Sequence, residues 1–191
     1  MLSRRIANAE RVQNIQNRRR GVAARRGDGT FGELIPGANP LRVEGFAVAR
    51  GPIATVEIGV EVKILFKAMI KQIDRVMGNM LDQSVHFRAG GGQPICIGIV
   101  GINHAVQCTS YEGSREYPTD GRGNRHPIQE AADAEARILA RVSPHYDELL
   151  FLRFRAANIP PFEFEWVDAQ GTEMDYAAVL TRITRRYEQI F

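Results

Sequence analysis

Lysine is nearly absent from this chain. Of 25 basic residues only three are lysines, Lys63, Lys67 and Lys71, and all fall within VEIGVEVKILFKAMIKQ, residues 56–72. Cysteine is scarcer still. Cys96 and Cys108 are the whole complement, too few for the disulfide frameworks of small secreted domains and in keeping with a reducing, cytoplasmic setting. No apolar run approaches the roughly 18–20 residues of a membrane-crossing helix, and the arginine-rich N-terminus carries no hydrophobic signal core. Several chemistries lack their motif as well. There is no paired CxxC of a zinc ribbon and no GxSxG nucleophile elbow. AGGGQP (89–94) lacks the GK[ST] ending of a phosphate-binding loop and leads into a strand rather than a helix. Cys96, His104, Cys108 and His126 can be strung together as a zinc set, but Cys96 sits in the apolar run ICIGIVG, where a free cysteine behaves as a small hydrophobe.

What is present is one core's worth of apolar residues, 44% of 191, which predicts a single domain over 27–191. Residues 1–26 hold eight arginines against one acid, Glu10. Their loose stripe of Ile6, Ala9, Val12 and Ile15 predicts a basic helix suited to a polyanion, with Arg18, Arg19 and Arg20 as phosphate contacts. Glycine and proline punctuate residues 27–40. Strands are then expected over 41–49 and 53–65 around an Arg50-Gly51-Pro52 turn, a helix over 66–87, and a strand buried on both faces in ICIGIVGI. A polar loop (103–125), a helix led by Pro127, two strands in DELLFLRFRA and PFEFEWV, and a closing helix complete the order. The pattern is α/β, a mixed sheet flanked by helices. In PFEFEWV, alternation puts Phe162, Phe164 and Trp166 on one side, read as a core strand, with a base-stacking row as the alternative.

The lysine stretch carries the chemistry. Alternation along the strand sets Val56, Ile58, Val60, Val62 and Ile64 on one face and Glu57, Gly59, Glu61 and Lys63 on the other. Glu61 and Lys63 therefore stand side by side. Such a pair is either a charge arrangement without chemistry or a hydrolytic site, with the carboxylate holding Mg²⁺ and the lysine positioning or deprotonating water. Arginine is a poor substitute for a compact, strongly hydrated ammonium beside a metal, so an arginine-biased chain keeps lysine where chemistry asks for it. Lys67 and Lys71, four residues apart, are expected on one face of the following helix near phosphates, with Gln72 orienting water or phosphate.

A strand ending in acid-x-lysine, followed by a helix and a buried strand, resembles the core of the PD-(D/E)xK nuclease superfamily, to which many type II restriction endonucleases belong. The resemblance covers about residues 40–102, with Glu61-Val62-Lys63 in the (D/E)xK position. It implies a restriction endonuclease-like fold and a Mg²⁺-dependent endonuclease acting on DNA, double-stranded and cut by a homodimer. It also implies a second acid upstream. No Pro-Asp dipeptide exists, and a turn at Arg50-Gly51-Pro52 would bring Glu44 opposite residue 58 or 59, so Glu44 ranks first as the second metal ligand with Glu61. Glu57 ranks second, Glu33 third, and Asp28 enters if the preceding loop folds back. In the long loop, Arg122 and Arg125 are candidate nucleic-acid contacts. The missing Pro-Asp keeps open an inactive nucleic-acid-binding or assembly protein on the same fold.

Overall fold

A computed structural model describes residues 2–14, 28–120 and 129–191. Its centre is a seven-stranded mixed sheet in the order β3-β1-β2-β4-β5-β8-β9. The strands are β1 (Arg11–Asn14), β2 (Gly29–Glu33), β3 (Arg50–Gly51), β4 (Ile58–Leu65), β5 (Ile95–Asn103), β8 (Glu148–Ala156) and β9 (Phe164–Trp166). Strands β6 (Thr109–Glu112) and β7 (Arg115–Pro118) form a separate hairpin. The helices are α1 (Leu2–Ala7), α2 (Ile73–Arg88), α3 (Ala131–Val142) and α4 (Ala169–Ile190). None is long and apolar enough to cross a membrane among the described residues.

The parallel heart β4-β5-β8 is joined through α2 and α3. Both helices turn their apolar stripes to the same face of the sheet. Ile73, Val76, Met77, Met80 and Phe87 of α2 and Ala134, Ile138 and Val142 of α3 share one core with Leu65 and Val100. On the other face α4 lays Tyr187 against Ile95 and Ile97, with Phe31, Ile58 and Val60 around them. Strand β5 is buried on both sides for this reason. Asp168 caps α4, its Oδ1 accepting the Gly171 N–H at 2.9 Å.

The mixed α/β sheet flanked by helices agrees with the sequence pattern, but the N-terminal third differs. The expected basic helix stops at Ala7; Ala9 takes φ 54° and the chain enters β1, burying Val12 in the sheet core. Pairing with β2 and β3 outweighs the weak helical stripe, and residues 11–14 belong to the main sheet rather than to a separate arm. The described part of the stretch expected to be irregular, 28–40, holds a strand, Gly29–Glu33, between β1 and β4. A Cβ on Gly32 would meet the Thr55 carbonyl oxygen at 1.9 Å, so this glycine permits close approach rather than marking a loop. Residues 41–49 form no strand, and Arg50–Gly51, expected as a turn, pairs in parallel with β1. The hairpin partner of β4 is therefore β2, in the register Gly29↔Val60 and Phe31↔Ile58. The helix after β4 also begins late. Ala68 has φ 47°, Met69–Lys71 make a single 3₁₀ turn, and α2 starts at Ile73.

Candidate active site

The β2–β4 register decides which acid meets the Glu61-Val62-Lys63 tripeptide. Antiparallel pairing of Gly29 with Val60 puts Asp28, one residue before β2, level with Glu61. Asp28 Oδ2 accepts the Val62 N–H at 2.6 Å and lies 3.9 Å from Lys63 Nζ. The same ammonium donates to Glu61 Oε1 in a short contact and approaches the Val62 carbonyl at 3.3 Å. Two carboxylates thus flank one lysine.

Their settings are unequal. The Glu61 side chain is 5% exposed, Lys63 24% and Asp28 47%, so the cluster is rooted in the core and opens outward at Asp28. Gly59, Glu61 and Lys63 lie on the α2 side of β4: a Cβ at Gly59 would strike the Phe87 ring at 2.5 Å, and Leu65, at the same parity, joins the α2–α3 core. Beside Glu61 in the next strand is Gly98, whose missing side chain leaves room for Met80 and Tyr146. Tyr146 donates its hydroxyl to the Met80 carbonyl at 2.8 Å. Burial first, and then the negative charge of Glu61, pushes its phenol above the ordinary value.

Other expected site residues lie elsewhere. Glu44 sits in an exposed turn, not in a strand; the positions opposite residues 58 and 59, where it was expected, belong to Phe31 and Thr30 of β2, and the acid level with Glu61 is Asp28. Glu57 does not share the Glu61 face. It precedes β4 and its carboxylate turns to the α4 side, where it accepts a short hydrogen bond from Tyr187 and pairs with Arg11 Nε at 2.6 Å. Glu33, at the far end of β2, lies 3.8 Å from Arg11. Lys67 and Lys71 do not share a helical face, because Lys67 lies before the 3₁₀ turn and Lys71 ends it. The Lys67 ammonium donates to the Thr109 carbonyl at 3.4 Å and sits 5.4 Å above the Tyr111 ring, bracing the β6–β7 hairpin. Lys71 is exposed. Gln72 is occupied locally, donating to the Lys67 carbonyl at 3.3 Å and accepting from Arg75 at 3.2 Å. Arg18, Arg19, Arg20, Arg122, Arg125 and His126 lie outside the described residues.

Within the stretch 103–125 expected as a loop, Thr109–Pro118 form the β6–β7 hairpin with a tied base, and 121–125 lie outside the described residues. Cys108 and Thr119 exchange hydrogen bonds at 2.8 and 2.9 Å, and Asn158 both donates to and accepts from the Thr109 backbone. Cys108 is buried beside Asn103 and Cys96 is buried in β5; burial pushes both thiols up, Cys96 to about 11. Among the described residues no three His, Cys, Asp or Glu side chains gather as a metal cage. No protein-family model, curated protein or solved structure matches the chain.

Proposed function

We propose that this protein is a Mg²⁺-dependent phosphodiesterase that cuts DNA, an endonuclease of restriction type on the PD-(D/E)xK plan. The observation that carries the reading is the meeting of Asp28, Glu61 and Lys63 at the β2–β4 pairing, with both acids approaching a single ammonium. The order of elements supports it. Three antiparallel neighbours, β1, β2 and β4, are followed by α2 and by β5 parallel to β4, and acid-x-lysine lies on the third strand. Asp28 takes the role of upstream acid that the sequence reading assigned to Glu44.

The residues fit the ion. Asp28 and Glu61 are hard oxygen donors at one place, and Mg²⁺ is characteristically held by one or two carboxylates, with water and phosphate oxygens completing its shell. They would hold it between them, and when bound it supplies neutralisation of the charge that builds on the phosphate. Lys63 contributes in its own right. Its ammonium is fixed by Glu61 and the Val62 carbonyl, while Asp28 at 3.9 Å is beyond hydrogen-bond reach. One proton of three is therefore left to orient an incoming water or a phosphoryl oxygen. Burial of Glu61 holds this arrangement rigid, and exposure of Asp28 lets a polymer backbone reach it. One such centre cuts one strand, so double-strand cleavage calls for a two-fold homodimer.

The test is supercoiled plasmid incubated with the protein in Mg²⁺ and in EDTA. The reading expects nicked and linear product only with Mg²⁺. Binding that retards the plasmid in both conditions without nicking would support the inactive nucleic-acid-binding alternative instead.

A further inference from the structure

The opposite edge of the sheet, away from the candidate active site, is built for another partner. Strand β9 pairs with β8 on one side, and among the described residues nothing pairs with its other side. Ala157 N–H donates to the Glu163 carbonyl and Val167 N–H to the Arg153 carbonyl. By the alternation of an antiparallel ladder, residues 163, 165 and 167 direct their backbone groups to β8, while those of Phe164 and Trp166 face outward. Side chains alternate as well. Phe164 and Trp166 form an aromatic row on one face, in edge contact at 5.2 Å and continued inward by Phe154 at 5.6 Å, yet they are 56% and 42% exposed. The expectation that this strand lies in the core is thus overturned. The other face carries Glu163 and Glu165, both exposed, with Glu165 in a surface pair with Arg155 at 3.1 Å. Beside the strand is a cavity of about 440 Å³ lined by Val106, Arg155, Glu163, Phe164 and Glu165.

Charge names the class of occupant. Between Arg155 and Arg182 there is no lysine or arginine, whereas Glu163, Glu165, Asp168, Glu173 and Asp175 fall in that interval. A phosphate polymer is repelled by such an edge, and a cationic peptide is drawn to it. We infer that β9 is a docking edge for an extended segment of a partner protein with alternating basic and apolar side chains. Its backbone adds to the outward N–H and C=O groups of Phe164 and Trp166. Apolar side chains cover the aromatic row, and basic ones meet Glu163 and Glu165 and enter the cavity. The strand is only three residues long and follows Pro160-Pro161. Backbone pairing alone is therefore weak, and side-chain match decides the partner.

Trp166 is the only tryptophan, so its emission reports occupancy of this edge and not of the nuclease site. The experiment titrates the full chain with acetyl-(Arg-Val)₃-amide, with acetyl-(Glu-Val)₃-amide, and with a 20-base-pair duplex as competitor, while sedimentation follows self-association. The proposal expects a saturable Trp166 blue shift with the basic peptide alone. It also expects at least a tenfold weaker affinity in Glu163→Gln/Glu165→Gln, and a similar loss when a central valine of the peptide is replaced by proline. An equal response to the acidic peptide, displacement of the basic peptide by duplex, affinity unchanged in the double variant, or a dimer that already shields Trp166 would each overturn it. So would the absence of any saturable shift.

Discussion

Glu57 and Glu61 are four positions apart on one stretch of chain, and both are almost fully buried, at 3% and 4% exposure. Their company separates them. Glu57 is saturated: Arg11 Nε pairs with one oxygen and the Tyr187 hydroxyl donates to the other. That cluster ties β1, the start of β4 and the C-terminal helix together, and a second acid, the half-exposed Glu33, stands 3.8 Å from the same Arg11. Glu61 shares an ammonium with a second carboxylate, Asp28, one acid deep and the other open to solvent. Around Lys63 the two carboxylates meet at a place that opens outward at Asp28, whereas both oxygens of Glu57 are taken, one by Arg11 and one by Tyr187. Burial of an acid is therefore not by itself the mark of a site.

The first way to break this comparison is to disarm the group around Lys63. Glu61→Ala and Lys63→Ala should each lower Mg²⁺-dependent nicking per folded molecule by about a thousandfold or more, and Lys63→Ala, which takes the ammonium from the buried Glu61 carboxylate, should lower the melting temperature as well. Lys63→Arg should fail similarly, because a planar guanidinium does not replace a compact ammonium. Glu57→Gln should show the reverse pattern. Leaving Arg11 without its buried partner should cost roughly 3–5 kcal/mol in denaturant unfolding, with nicking per folded molecule retained. A Glu57 variant that melts normally yet is inactive would erase the distinction between the two acids.

Asp28→Asn sharpens the same contrast within the site. It keeps an acceptor for the Val62 N–H but removes the charge, and nicking should fall by about a hundredfold, whereas Glu44→Gln should cut like the parent protein. The smallest effect concerns the Glu57 cluster. Burial first, and then the hydrogen bond to Glu57, pushes the Tyr187 phenol from 10 up to about 12. Because the folded value is raised, its contribution is complete below pH 10 and is lost as pH climbs from 10 towards 12. Tyr187→Phe should cost about 1–2 kcal/mol at neutral pH and make the alkaline decline shallower across that window. Cys96 and Tyr146, also shifted upward, keep some slope in both proteins.

The tripeptide was legible in the sequence because strand alternation is a local property. Glu61 and Lys63 share the α2 face of β4 as the period of two requires, and the burial of β5 on both faces follows from its unbroken apolar run. Its partner acid was not legible in the same way, because it depends on a register set by tertiary pairing. GDGTFGE (27–33) reads as loop by composition, yet Gly32 is there so that β2 can pass the Thr55 carbonyl. Once β2 rather than residues 41–49 lies beside β4, Asp28 replaces Glu44. A signal was present in the alternation of Thr30 and Gly32, both buried, with Phe31 and Glu33, which are not, but the glycines masked it. In PFEFEWV the alternation held for Phe164 and Trp166, while Phe162, at φ 57°, precedes the strand, and the surroundings were misjudged. Nothing in those residues distinguishes a strand in the middle of a sheet from one at its rim, and β9 lies at the rim.

The proposed activity requires Asp28 and Glu61 to form a divalent-cation site beside Lys63. Crystals soaked in Mn²⁺, with anomalous data collected for the parent protein and for Asp28→Asn, test this directly. A peak within coordination distance of both Asp28 and Glu61, lost in the variant, is the predicted result. A parent protein with no peak there, or with its peak at Glu57 or Glu44, would contradict it.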